Sequence, residues 1–278
     1  LKINILIYEE KRFLLSMGCG CCGVFLSSCV KAPITERNQL SFYPESLINS
    51  QAEVAYKRLK DRMKISADVQ KTNEVKKISE DLINSLNSYY KKIKQPNPTE
   101  GFKWEFVLID DPTINAFCFP GGKIGVFNGI LPIANTEGSM AALLGHEIAH
   151  AAAKHGVESM STQLALNVGI SIADVFLGGV ISKTRDTIGR TTGIDALQVG
   201  VMMPFGRSQE SEADYMGLVY SSIAGYDIND SVSLWKNMNA KNKGKEPPQF
   251  LSTHPSSSTR ILQLRTWIPE VRSKYPKM

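Results

Sequence analysis

The segment GHEIAHAAAKHG, residues 145–156, carries two histidines four positions apart, with a glutamate directly after the first. Side chains at i and i+4 share one face of an α-helix, so His146 and His150 can converge on a single metal ion. Glu147 lies one position round, within reach of a water on that ion. H-E-x-x-H on a helix is a zinc-binding pattern. With so few fixed positions, it also arises by chance in helices that hold solvated or core histidines.

The surrounding residues predict a buried helix. Asn135 or Thr136 suits the N-cap, and Gly156 suits the C-terminal stop. Between them an apolar stripe repeats at helical spacing for about five turns. It consists of Met140, Leu143, Leu144, Ile148 and Ala151. Burying two histidines and a glutamate on so apolar a helix is costly unless they have a partner, which favours a metal ion.

A third ligand is not found next to the motif. Zinc proteases of one class carry a third histidine six positions after the second, and Gly156 stands there. His155 comes one residue early. On a continuous helix it would lie about 140° from His150. We therefore expect His155 at the surface, or behind a ligand rather than on the metal.

The segment GRSQESEADYMG, residues 206–217, offers the missing carboxylate. Glu210 and Asp214 are again four positions apart. They could form an ordinary acidic face near a helix start, where carboxylates are favoured by the helix dipole. Alternatively, Glu210 is the third ligand and Asp214 accepts a hydrogen bond from a ligand histidine. Glu212 points elsewhere on the same helix and is expected to be solvated.

These motifs together resemble a known family. H-E-I-A-H followed by R-S-Q-E-S-E-A-D is similar to the zinc metallopeptidases that include HtpX, the CAAX prenyl proteases and the mitochondrial Oma protease. The strongest resemblance is to the soluble periplasmic lipoproteins of the BepA and LoiP type. Three longer stretches agree: NAFCFPGGKIGVFNGIL (115–131), LQVGVMMPFGRSQESEADYMG (197–217) and STHPSSSTRI (252–261). The resemblance implies an α+β fold, a mostly helical zincin-like domain with a small β-sheet or hairpin beside the H-E-x-x-H helix.

The implied chemistry is hydrolysis of a peptide bond by one Zn²⁺ per chain. His146, His150 and Glu210 would hold the ion, which polarises the scissile carbonyl and acidifies water. Glu147 would accept the proton of that water and pass it to the leaving amine.

His254 and Arg260 are candidates for stabilising the oxyanion. The resemblance implies that His254 can approach the zinc and block it, although it could also be a turn residue before Pro255. Arg207 and Arg260 could equally be ion-pair partners that hold the acidic residues in place.

Strand patterns precede the motif helix. Residues 104–110 predict one strand, and Pro120-Gly121-Gly122 separates two more as a hairpin. The hairpin edge, residues Asn115, Ala116 and Phe117, could bind an extended substrate as an added strand. A purely structural hairpin remains the alternative.

The first residues predict export. Residues 11–29, KRFLLSMGCGCCGVFLSSC, have a basic start, an apolar run and a lipobox-like end. We expect a signal peptide over 1–28, a lipidated Cys29, an extended tether over 29–50 and a metallopeptidase domain over 51–278. The predicted location is the periplasm, anchored to the outer-membrane lipid. A zinc or disulfide cluster of Cys19, Cys21 and Cys22 is the alternative.

Helical patterns cover 51–62 and 69–94, and residues 163–182 form an apolar run. Asn167, Asp174 and three glycines in that run favour a buried helix over a membrane span.

The net charge of +5 is a mild excess of positive charge and says little about binding partners. The lysine clusters at 91–94 and 241–245 lack interleaved aromatic residues, so no nucleic-acid partner is expected.

The expected substrates are unfolded or misassembled envelope proteins. Two other functions stay open: a chaperone-like lipoprotein that uses the fold without turnover, and a structural zinc site. Glu147 argues against both, because a non-catalytic site has no need of that carboxylate, and structural zinc prefers four Cys or His ligands.

Overall fold

The computed structural model describes residues 29–41, 44–162, 205–241, 248–254 and 258–278. Strands and helices follow in the order β1 (Cys29–Lys31), β2 (Asn38–Leu40), α1 (Glu45–Arg62), α2 (Val69–Ile93), β3 (Glu105–Ile109), β4 (Ala116–Phe119), β5 (Lys123–Phe127), a 3-10 turn (Asn128–Ile130), α3 (Glu137–Ala152), α4 (described over 155–162), α5 (Arg207–Ile223), α6 (Asp230–Lys241), α7 (Phe250–Thr253) and α8 (Ser258–Lys274). The predicted α+β class is confirmed. The signal peptide over 1–28, the apolar run 163–182 and most of the lysine cluster 241–245 lie outside the described residues.

The central sheet has three strands in the order β3-β5-β4. β3 runs parallel to β5, and β4 pairs with β5 as an antiparallel hairpin. Gly121 and Gly122, with φ of 79° and 87°, form the turn, where a side chain would be strained. The predicted strand and hairpin are confirmed. Because β4 pairs only with β5, its other edge is free of strand partners among the described residues.

The two predicted helices before the sheet are confirmed. α1 begins at Glu45, more than a turn before the predicted start at Gln51, and α2 ends at Ile93, one residue before its predicted end. α2 begins after Asp68, whose carboxylate accepts a hydrogen bond from the Lys71 backbone N–H. It ends where Lys94 adopts a left-handed conformation. The apolar stripe of α2 is buried, as its helical spacing predicts: Val75, Ile78, Leu82 and Leu86.

The motif helix α3 is buried along its whole length after Glu137. Thr136 caps its start and exchanges hydrogen bonds with Ser139, as a capping box does. The predicted stop at Gly156 is wrong, because α3 ends at Ala152 and α4 begins at His155. Between them Lys154 has a φ of +55°, which breaks the helix and redirects the chain.

α3 and α5 cross at two glycines. A Cβ added to Gly217 would lie 2.9 Å from the His146 backbone nitrogen, and one added to Gly145 would lie 3.0 Å from the Gly217 carbonyl oxygen. The first distance is shorter than a real Cβ contact and the second is at the tight limit, so Gly217 requires glycine and Gly145 strongly favours it. The close crossing brings the first half of α5 against the histidines of α3.

The segment 29–50 contains more secondary structure than the predicted extended tether. β1 and β2 form an antiparallel pair, and α1 begins at Glu45. None of the described helices combines the length and the apolar character that crossing a membrane requires.

Candidate metal centre

Four side chains converge inside the fold: His146 and His150 from α3, Glu210 from the first turn of α5, and His254 directly after α7. One ligand-type atom of each lies within 4.8 Å of the other three. The Nε2 atoms of His146 and His150 are 3.1 Å apart, and Glu210 Oε1 lies 3.4 Å from His150 Nε2. His254 Nδ1 lies 2.9 Å from Glu210 Oε1 and 3.3 Å from His146 Nε2.

These separations fit a small divalent ion. A tetrahedral ion with bonds of about 2.0–2.1 Å holds its ligand atoms about 3.3 Å apart. The other ring nitrogen of each α3 histidine already has a partner: His146 Nδ1 lies 3.1 Å from Asp214 Oδ1, and His150 Nδ1 lies 2.8 Å from His155 Nδ1. If each Nδ1 carries the proton, both Nε2 atoms present lone pairs to the same point. A cation between them removes that repulsion.

Burial keeps His150 in the neutral form that a metal requires. It lowers the pKa of His150 well below its ordinary value, because the charged ring is poorly solvated inside the fold. Burial alone would raise the pKa of Glu210. The charge on His254 and the hydrogen bonds from His150 and His254 outweigh burial and hold that pKa far below its usual range. The site therefore presents a neutral imidazole beside a carboxylate anion.

Arg260 and Asp214 support two of the ligands from behind. Arg260 is buried, donates to both oxygens of Asp214 and donates to Glu210 Oε2 at 2.6 Å. Its guanidinium carbon lies 3.5 Å from the centre of the Trp235 ring. Arg260 is thus placed as an ion-pair partner of the acidic residues, one of the two roles expected from sequence. Arg207, the other candidate, is exposed at the start of α5 and is not among the residues brought to the site.

Glu147 faces the cluster without joining it. Its Oε1 lies 3.5 Å from His254 Nε2 and has no hydrogen-bond partner. Burial raises the pKa of Glu147, and the nearby His254, His146 and Cys118 backbone N–H offset only part of that rise. A buried carboxyl with a raised pKa and a free oxygen is suited to accept and return a proton.

His254 belongs to the cluster and is more than a turn residue, because its Nδ1 lies within 3.3 Å of both Glu210 and His146. Its ring stacks on Phe250, with centroids 4.4 Å apart. Burial lowers the pKa of His254, but the carboxylates of Glu147 and Glu210 outweigh burial, so the pKa lies above its ordinary value. His254 can therefore donate a hydrogen bond into the site.

Sequence reasoning was wrong about Glu212, which is buried although a solvated position was expected. His155 is buried as well and takes the second of its two expected positions, behind the ligand His150. The chain turn at Lys154 carries His155 back to the α3 face that holds His150, instead of continuing the helix away from it. Burial alone would raise the pKa of Glu212, but hydrogen bonds from His155 and Arg37 lower it to about 2.

Three further neighbours of the site carry no recognisable pattern in the sequence. Phe205 stacks on His150 with centroids 4.0 Å apart, and its backbone N–H donates to the Thr253 carbonyl. Arg37 and Trp235 approach from distant parts of the chain. The Phe205 and His254 contacts help bury the cluster, in which His146, Glu147, His150, Glu210 and His254 are each 3–4% exposed.

The predicted substrate edge lies beside this cluster. β4 packs against α3, and its residues Ala116 and Phe117 are buried. The Asn115 carbonyl accepts a hydrogen bond from Phe127, and the Asn115 side chain accepts one from the Ala116 N–H. The Cys118 backbone N–H points from the strand to Glu147.

Comparison with known proteins identifies several relatives of this chain. The mitochondrial metalloendopeptidase OMA1 of Schizosaccharomyces pombe is 38% identical over 187 residues, 66% of this chain and 52% of that protein. OMA1 of Saccharomyces cerevisiae is 29% identical over 287 residues, 98% of this chain and 79% of that protein. A putative beta-barrel assembly-enhancing protease of Vibrio cholerae is 29% identical over 177 residues, 62% of this chain and 35% of that protein. The chain spans about half the length of the first of these relatives.

These relatives overturn the predicted location. The periplasmic, outer-membrane-anchored assignment is wrong, because mitochondrial proteins match at higher identity or over more of the chain than the bacterial protease does. The lipobox-like pattern at Cys29 was its basis, and so short a pattern of small and apolar residues can occur in other leader-like segments.

The predicted family resemblance is confirmed. Relatives named OMA1 and beta-barrel assembly-enhancing protease represent both branches that the motifs suggested. The profile of Peptidase family M48 matches residues 70–268, most of the chain and all four converging side chains. The chain therefore belongs to peptidase family M48.

Proposed function

We propose that this chain is a zinc-dependent endopeptidase in which His146, His150 and Glu210 hold the ion and Glu147 is the general base. One observation carries the proposal. Glu147 places a buried oxygen without a hydrogen-bond partner against a cluster whose donor atoms are spaced for a tetrahedral ion. A structural metal site has no use for such a carboxyl, whereas hydrolysis requires one.

Zinc is the ion that this donor set favours. Two imidazole nitrogens and one carboxylate oxygen are a set found in catalytic zinc sites, which keep a further position for water or substrate. When bound, the ion supplies Lewis-acid chemistry: it polarises a carbonyl oxygen and lowers the pKa of water.

The proton is handled by Glu147 at Oε1. Its free oxygen faces the cluster, and the Cys118 backbone N–H interacts with the same carboxyl group. The raised pKa makes the protonated form accessible, so Glu147 can take a proton from water and deliver it to the leaving amine. His254, with Nε2 3.5 Å from this oxygen, is positioned to donate to the developing oxyanion.

The proposed substrates are extended segments of unfolded or misassembled proteins. β4 is an edge strand that packs against α3, and its Cys118 backbone N–H interacts with Glu147. A peptide added at its free edge would pair through its backbone. Backbone pairing places little demand on sequence but requires an unfolded segment. Because the cluster is almost fully buried, we expect Phe205, which stacks on His150, to move aside when such a segment binds.

The proposed location is the mitochondrion. It is supported by the mitochondrial names of the relatives from S. pombe and S. cerevisiae, the second of which matches 98% of this chain.

Hydrolysis of casein by the purified chain tests the proposed function. We expect cleavage that a chelator abolishes and that stoichiometric Zn²⁺ restores, with a tightly folded protein of similar size left intact. Cleavage that survives complete metal removal would overturn the metal-dependent mechanism. Equal cleavage of the folded control would overturn the substrate class.

A further inference from the structure

A chain of polar side chains runs from His150 to the N-terminal hairpin. His150 Nδ1 lies 2.8 Å from His155 Nδ1, and His155 Nε2 lies 2.9 Å from Glu212 Oε2. Arg37 Nε donates to the same Glu212 oxygen at 2.8 Å. Its two terminal nitrogens bind the carboxylate of Glu158 at 2.6 and 2.7 Å. The Thr35 hydroxyl also donates to Glu212.

The partners in this chain determine the tautomers. A carboxylate can only accept, so Glu212 places the proton of His155 on Nε2. His155 Nδ1 is then an acceptor, and His150 must donate from its own Nδ1. His150 Nε2 is left with its lone pair directed at the cluster, as metal binding requires. This series of hydrogen bonds therefore determines the tautomer of His150 and leaves the lone pair on Nε2, the nitrogen that would bind the ion.

The backbone adopts an unfavourable conformation to form this contact. Lys154 has a positive φ, which non-glycine residues rarely adopt. Its side chain is held by Glu45 at 2.6 Å. Without the turn at Lys154, His155 would continue along α3 and point away from His150.

We propose that His155 is a positioning residue for the metal ligand His150, and that Arg37 and Glu212 connect the β1–β2 hairpin to the metal centre through it. This inference rests on the proposed metal-dependent function. It assigns to the hairpin a role in metal retention, because Arg37 bridges two carboxylates that otherwise repel each other beside His155.

Metal affinity of the full chain tests the proposal. The zinc dissociation constant is measured by competition with a chromophoric chelator, and the absorption spectrum of Co²⁺-substituted protein reports the ligand geometry. His155→Phe keeps the ring but removes both nitrogens, and we expect a dissociation constant about 10- to 100-fold higher. His155→Gln retains one acceptor and one donor, and we expect it to recover most of the affinity and the wild-type Co²⁺ spectrum.

Two further variants separate positioning from general loss of stability. Glu212→Gln preserves the shape of the acceptor but removes its charge, and should give an intermediate loss of affinity even if His155→Phe folds poorly. Ile109→Ala destabilises the sheet in a separate apolar cluster and should leave zinc affinity unchanged in the folded protein.

The outcomes are distinct. Wild-type zinc affinity in both His155→Phe and Glu212→Gln overturns the inference and leaves the proposed function intact. An equal loss in Ile109→Ala also overturns it, because the effect would then be loss of stability. Failure of the wild-type chain to bind any divalent ion overturns the proposed function itself.

Discussion

Arg260 and Asp214 form a bidentate ion pair in which Nε and Nη2 of the guanidinium each lie 2.7 Å from a carboxylate oxygen. The remaining terminal nitrogen, Nη1, donates to Glu210. Because Asp214 also contacts His146 Nδ1, one buried cation orients a histidine and a carboxylate that converge on the same point. The hydrogen bonds of Arg260 and Asp214 therefore connect α8, α5 and α3, three helices far apart in sequence.

The Arg260–Asp214 pair should control metal affinity. Asp214→Asn keeps the shape of the side chain but removes the charge that orients His146, so we expect the zinc dissociation constant to rise about 10- to 100-fold. Competition with a chelator measures it. Glu270→Gln, on the exposed side of α8, is the matched control and should match wild type. Unchanged affinity in Asp214→Asn would remove this residue from the support of the ligand.

Glu210 and Glu212 should behave differently although both are buried acids on α5. Glu210→Ala removes a donor atom of the cluster and should leave the purified protein without metal. Glu212→Ala acts only through His155, so we expect weaker binding with metal still detectable. Elemental analysis after dialysis distinguishes them. Complete loss in Glu212→Ala together with retention in Glu210→Ala would place the third ligand two positions away.

The glycine at the helix crossing should be intolerant of a methyl group. Gly217→Ala would push the new Cβ to 2.9 Å from the His146 backbone, and we expect a loss of about 1–3 kcal/mol in the free energy of unfolding. Gly156→Ala meets no atom within 4 Å and lies in α4, where alanine is favoured by about 0.5–1 kcal/mol. Denaturant unfolding of both variants measures the difference. Equal stability of the two would mean that the crossing is not tightly packed.

His254 should promote turnover. It lies beside Glu147 and inside the cluster, and its raised pKa favours the form that donates a hydrogen bond. We expect His254→Ala to lower kcat by about 10²–10³, the usual cost of losing one oxyanion donor. Steady-state hydrolysis of a fluorogenic peptide measures it. A rise in kcat would instead show that His254 blocks the site at rest.

Local patterns predicted the elements that carry the site. The spacing of His146 and His150, the cap at Thr136 and the pair Glu210 and Asp214 all follow helical periodicity, which depends on neighbours within one turn. These parts of the sequence are read correctly without knowledge of the tertiary fold.

The rest of the site depends on events that periodicity does not encode. The positive φ at Lys154 turns His155 back toward His150, where its Nε2 is hydrogen-bonded to Glu212. Arg37 reaches Glu212 across 175 positions of the chain, and such a pairing leaves no signal in a single sequence. The prediction of a periplasmic location was wrong for another reason: the pattern around Cys29 is short, and many sequences satisfy it.

Glu147→Gln offers the most direct test of the central claim, that a metal held by α3 and α5 works with Glu147 as the base. The variant and the wild-type chain are purified in parallel by the same procedure and compared for bound zinc and for casein hydrolysis. We predict about one zinc per chain in both proteins, because Glu147 is not a ligand, and no hydrolysis above background in the variant. Hydrolysis by Glu147→Gln at the wild-type rate would contradict the account.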